Sequence, residues 1–139
     1  MSATQIGGND ERAAAVRAAR LAFADIQRAF GAESKHAAQA LALLVELLRE
    51  CRRFREAERF GKQLATMYVG IYGGANANSI AALCCLSNIQ QALGKNGDAL
   101  RSIELAEEFH DRLADRDPGF LALSEAVKKK LGGTAADTE

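Results

Sequence analysis

The chain repeats itself every 42 residues, and that periodicity restricts the folds open to it more than any single motif does. Phe30-Gly31-Ala32 returns as Tyr72-Gly73-Gly74, each closing one apolar helical stretch ahead of a second. Leu41 and Leu44 return as Leu83 and Leu86, while Ala15, Ala57 and Ala99 mark the same point in three successive units. Arg55-Glu56-Ala57 likewise answers to Gly97-Asp98-Ala99. A helix pair of this length cannot bury its own apolar face, so self-similarity at a fixed period predicts units stacked on their neighbours in a solenoid. Such an architecture points toward binding rather than chemistry.

Composition agrees with helices throughout. Ala and Leu dominate a sequence with one Pro, no Trp and few β-branched residues, and these residues favour helix over strand. A chain of this length fits one domain. Lys plus Arg equal Asp plus Glu at 18 each, so no global field draws the protein to nucleic acid or to an anionic membrane. The apolar stretch from Ala37 to Val45 is broken by Gln39 and is too short for a membrane span. Asp10 and Glu11 stand near a start that lacks an apolar core, unlike a secretory signal. Three cysteines, two of them adjacent, make no disulfide framework and suit a reducing compartment. A soluble, intracellular protein is expected.

Read along the chain, residues 1–9 are small and polar and are expected to form a flexible tail, with the first helix starting at Asn9 or Asp10. Its apolar positions Val16, Ala19, Phe23, Ile26 and Phe30 follow helical spacing up to the stop at Gly31. Ser34 caps a second helix through Leu41, Leu44 and Leu48, and Cys51-Arg52-Arg53-Phe54 turns into a third that closes at Gly73-Gly74. Asn76, Asn78 or Ser79 opens a fourth, with Ile80, Leu83, Leu86, Ile89 and Leu93 on one side. Gly94 and Gly97 bracket the turn to a fifth helix through Leu100, Ile103, Leu105, Phe109 and Leu113. Asp117-Pro118 reads as a cap followed by a proline at the first helical position of the sixth. Gly132-Gly133 is expected to end that helix, leaving 132–139 as a second flexible tail. The predicted fold is an all-α, right-handed α-solenoid of about six antiparallel helices over residues 10–131.

Leu41-x-x-Leu44, then Arg53-Phe54-x-Glu56-Ala57-Glu58 and Ile71-Tyr72-Gly73, resembles the 42-residue tetratricopeptide repeat of kinesin light chains. Leu83-x-x-Leu86 followed by Gly94-Lys95-Asn96-x-Asp98-Ala99 resembles it too, and the likeness covers about residues 12 to 131. The resemblance implies two full repeats with flanking half-repeats, and a concave groove lined by the first helix of each repeat. It also implies a cytoplasmic or cytoskeleton-associated setting. The paired asparagines that clamp an extended peptide in the family fall here on Ala42 and Leu43, and on Cys84 and Cys85, so this chain departs from the family at those positions. The candidate groove residues are Gln39, Ala42, Leu43, Glu46 and Arg49 in one repeat, and Ala81, Cys84, Cys85, Asn88 and Gln91 in the next. A small apolar groove of this kind suits the helix or strand of a protein or peptide partner.

Catalysis finds no support in the residue pattern. Cys84 and Cys85 are consecutive on a helix and point about 100° apart, so they cannot converge on one metal ion. Neither His36 nor His110 has ligand spacing to them, and nothing marks a nucleophile with its base and oxyanion hole. No cofactor is called for. Arg49, Arg52, Arg53, Arg55, Arg59 and Lys62 gather around one turn, where Arg52 and Glu56 are placed to pair at i, i+4. Further on, Glu104, Glu107, Glu108, Asp111, Asp115 and Asp117 outweigh Arg101, Arg112 and Arg116. The arginines lack the interleaved stacking aromatics of a nucleic-acid face. These opposite patches read either as ordinary surface charge or as a means of orienting a partner or a second copy. The sequence therefore predicts a non-catalytic adaptor or scaffold. Its alternatives are a structural subunit of a larger assembly using its outer surfaces, or a homo-oligomer. A cysteine-based redox role is a distant third.

Overall fold

The computed structural model describes the backbone of residues 3–137 and the side chains of residues 10–131. Among these residues the regular structure is entirely helical, without a strand: α1 Ala3–Phe30, α2 Lys35–Glu50, α3 Phe54–Tyr72, α4 Ala77–Ala92, α5 Asn96–Asp111 and α6 Pro118–Asp137.

The sequence period reappears as a period in local structure. Both α2 and α4 begin, and both end, 42 residues apart, as do the starts of α3 and α5. Their caps match. Ser34 and Asn76 hold extended backbone, and the side-chain oxygen of each accepts from a first-turn amide, at 3.1 Å from Ala37 N and 2.8 Å from Asn78 N. Each satisfies a donor that the helix leaves exposed. Before them, Gly31 (φ 106°) and Gly73 (φ 83°) turn the chain left-handed to stop α1 and α3. The turns after α2 and α4 also correspond: Arg52 (φ 60°) sits where Gly94 (φ 75°) sits one period later.

The chain forms two compact units, Met1–Met67 and Tyr68–Glu139, with the division inside α3. In the first, α1 packs on α2, and Leu41, Leu44 and Leu48 are fully buried beside Val16, Ala19 and Phe23. Each such side chain contributes roughly 1.5–3 kcal/mol on leaving water. Arg20 of α1 pairs with Glu56 of α3, which also accepts from Arg53 Nε at 2.7 Å. The Phe60 ring lies under the guanidinium groups of both Arg20 and Arg59.

In the second unit α5 packs against both α4 and α6. Ile80, Leu83, Leu86 and Ile89 of α4 are buried together with Ile103 and Ala106 of α5 and Phe120 and Leu131 of α6. The α4–α5 crossing is narrow because Ala99 is small, which lets Ser87 Oγ donate to the Ala99 carbonyl at 2.8 Å. Ser102 Oγ donates to Gln90 Oε1 at 2.7 Å across the same pair of helices. Between α5 and α6, buried His110 stacks on Phe120 at 4.4 Å, and its Nε2 accepts the Asp117 N–H at 2.8 Å. The imidazole proton therefore sits on Nδ1, a buried atom without a hydrogen-bond partner. Ser124 and Lys128 of α6 both reach the Glu107 carboxylate.

Several expectations are corrected. α1 begins at Ala3, six residues ahead of Asn9, so residues 3–9 of the expected tail are helical. α6 runs through Gly132-Gly133 to Asp137. Paired glycines weaken a helix by about 1 kcal/mol each, but they do not end one whose next residues still add hydrogen bonds. Residues 1, 2, 138 and 139 of the two expected tails lie outside the described residues. Ala15 is only half-buried, whereas Ala57 and Ala99 are fully buried. Phe30 is 58% exposed and stacks on His36 instead of entering the core. Glu56 pairs with Arg20 and Arg53 rather than with Arg52, because the left-handed turn sends Arg52 over the Phe54 ring.

Candidate functional site: a cleft between α4 and α6

The α2 candidates form one strip on the first unit. Gln39 and Leu43 are exposed, Ala42, Glu46 and Arg49 are half-buried, and Glu46 and Arg49 form an ion pair. Leu43 is 57% exposed. On α4, Ala81 and Asn88 are exposed, while Cys84, Cys85 and Gln91 are half-buried. The two groups belong to different compact units.

Within the second unit, Cys84, Asn88 and Gln91 come together in a cleft of about 350 Å³. Ser87 joins them from α4, Ile103 of α5 supplies the floor, and Leu123, Ala126, Val127 and Lys130 of α6 make the opposite wall. Ala81 and Cys85 do not line it. The α6 wall was not anticipated from the sequence, although Leu123 and Val127 at i, i+4 mark one face of a helix. A second crevice of about 330 Å³ lies in the first unit, between the end of α1, the following turn and α3. Gln27, Glu33, Lys62, Gln63, Thr66 and Met67 line it, and it too was not foreseen.

Burial, helped by the neighbouring Cys85, pushes the Cys84 thiol up to about 11. A thiol so placed stays protonated near neutrality and behaves as a small apolar group rather than as a nucleophile. The Lys128 ammonium is held above the ordinary lysine range, chiefly by its hydrogen bond to Glu107. Among the described residues no group of three or more His, Cys, Asp and Glu side chains could hold a metal ion. No described helix is long and apolar enough to cross a membrane.

The cleft thus offers an aliphatic wall, two side-chain amides and one cation at the rim. Gln91 Nε2 lies 3.4 Å from Ser87 Oγ, which orients its amide along α4. Asn88 and Gln91 each carry both a donor and an acceptor, as a peptide backbone does. No protein-family model and no curated protein sequence matches the chain.

Proposed function

We propose that the protein is a non-catalytic interaction module that holds a segment of a partner protein in the α4–α6 cleft. The observation that carries this reading is the convergence of Asn88 and Gln91 with the aliphatic side chains Leu123 and Val127 around one concave surface. Apolar pockets edged by a few hydrogen-bonding groups are the common form of a peptide site.

The finer architecture belongs to the same reading. Matched caps, left-handed glycines and buried alanines one period apart support a right-handed, tetratricopeptide-like solenoid resembling the kinesin light chain repeats. In that arrangement α2 and α4 would be the groove-lining helices, and α6 the first helix of an incomplete repeat. A cytoplasmic, adaptor-like role follows from the resemblance.

Peptides selected from a random display library on the full chain test the idea. Enriched peptides are expected to bind at least about tenfold more weakly to Val127→Arg and Asn88→Ala variants, a loss of about 1.4 kcal/mol. A library that yields no binder, or binders indifferent to both substitutions, refutes it.

A second reading, a subunit of a larger assembly, is favoured by Leu21 and Phe30 of α1, which are 68% and 58% exposed. Nine residues apart, they stand on opposite faces of the helix, so each would meet a separate neighbour in an assembly. Partner binding lost on Leu21→Lys but kept on Val127→Arg would select it.

A further inference from the structure

Two exposed charged stripes of equal spacing and opposite sign lie on this chain, away from the cleft. On α3, Arg55, Arg59 and Lys62 stand at i, i+4 and i+7, all exposed. Among the described residues Arg55 makes no ion pair, Arg59 lies over the Phe60 ring, and Lys62 reaches the largely buried Glu58 at 3.6 Å. On α5, Glu104, Glu108 and Asp111 stand at i, i+4 and i+7, also exposed; among the described residues none of the three carboxylates lies within ion-pair distance of a cation, although Glu104 acts on the Lys128 ammonium from further off. Of the nearby cations, Arg101 pairs with Asp98, Arg112 lies over the Phe109 ring, Lys128 pairs with Glu107, and Arg116 donates to the Asp111 backbone carbonyl at 3.4 Å.

Each stripe spans about 10 Å of helix, so three charges on one can meet three on the other. The charge excess follows the same division. Residues 1–67 hold eleven Lys and Arg against eight Asp and Glu, and residues 68–139 hold seven against ten. The chain is neutral because one half offsets the other, and both halves of a complementary contact are present in every copy.

We propose that the occupant of the basic α3 stripe is the acidic α5 stripe of a second copy of this chain. The contact joins different surfaces of the two copies, and a second copy of the same contact, α5 of the first on α3 of the second, closes a two-fold dimer where both stripes meet. Exposed ion pairs each contribute at most about 1 kcal/mol and are screened by salt, so the contact is weak and is strongest at high protein concentration and low ionic strength. The inference uses neither the cleft nor its ligand and stands apart from the proposed function.

Sedimentation velocity of the full chain tests it, from about 0.01 M to about 1 M salt, where the Debye length falls from about 30 Å to about 3 Å. Association at low salt, weakened at least tenfold at high salt, is expected. The variants Arg55→Glu/Arg59→Glu and Glu104→Lys/Glu108→Lys are each expected to be monomeric at low salt, with native helical circular dichroism. Mixing the two variants restores complementary stripes and is expected to restore association, which no loss of folding could mimic. A monomer at every salt concentration overturns the proposal. So does association that survives high salt, or variants that stay monomeric when mixed.

Discussion

Gly74 offers a sharp test of how the second unit is packed. It lies just after α3, outside the left-handed region, so its lack of a side chain is not a conformational requirement. The reason is contact: a methyl group there would meet the Phe109 ring of α5 closer than the 3.0 Å that real Cβ atoms observe. Gly74→Ala must therefore rotate the ring from its rotamer or displace the turn. An off-rotamer ring costs about 0.5–1.5 kcal/mol, and overpacking generally costs about 1–3 kcal/mol. Against this stands a gain of about 0.4–1 kcal/mol from a stiffer unfolded chain. The net loss is about 1–2 kcal/mol, or roughly 3–8 °C in Tm.

The cause is isolated by a cycle with Phe109→Leu, read by thermal unfolding. In the leucine background the methyl has room, and Gly74→Ala is expected to be neutral or slightly stabilising. Gly73→Ala provides the contrast. At φ 83° it is strained whatever residue stands at 109, and nothing lies within 4 Å of its missing Cβ. Its penalty of about 1–2 kcal/mol is expected to be the same in both backgrounds. A Gly74→Ala variant that melts with the native chain, or an equal Gly74→Ala loss in both backgrounds, would show that Phe109 does not pack on this turn.

Arg52→Gly is expected to stabilise the chain by about 0.5–1 kcal/mol, since glycine removes left-handed strain at φ 60°; a lowered Tm would contradict this. Ala99→Leu should cost at least about 1–3 kcal/mol by forcing α4 and α5 apart and breaking the Ser87 bond. Ala15→Leu, at a half-buried site, should cost well under 1 kcal/mol, and equal melting shifts for the two would refute the distinction. The Cys84 thiol should alkylate with a rate midpoint near pH 11 in the folded chain, against about 9.0 when unfolded. Its thiolate fraction is then roughly one thousandth at about pH 8. Because the folded value is raised, the stability this thiol contributes is complete below the unfolded value and is lost as pH climbs through 9 to 11. Iodoacetamide labelling read by mass spectrometry checks the shift, and equal midpoints in the two states would deny it.

Local signals carried most of the element boundaries. Ser34 and Asp117 were readable as caps, and Asn76 as one of three candidates with Asn78 and Ser79, because a short oxygen-bearing side chain ahead of an apolar period has few other uses; Ser34, Asn76 and Asp117 all accept from helix amides. Gly31 and Gly73 were readable as stops for the matching reason. What the sequence hid depends on partners distant along the chain. Periodicity marks Phe30 and Leu123 as apolar but cannot say whether a neighbouring helix reaches them, and both are exposed. The alanine pattern put Ala15 level with Ala57 and Ala99, yet the burial seen at those two is missing at Ala15. The cleft was half legible: Cys84, Asn88 and Gln91 came from their position on α4, while its other wall comes from α6, more than thirty residues further on. Gly74 was readable as a helix stop, but its steric reason lies with Phe109 on another helix.

The recurrence of the same stops and starts at Gly31/Ser34 and Gly73/Asn76 makes those joints interchangeable. A block cut between them, whether removed or inserted again, would bring its own glycine brake and its own oxygen for the next bare amide. Growth or shrinkage of such a chain needs no new turn chemistry. The seams are already written into it.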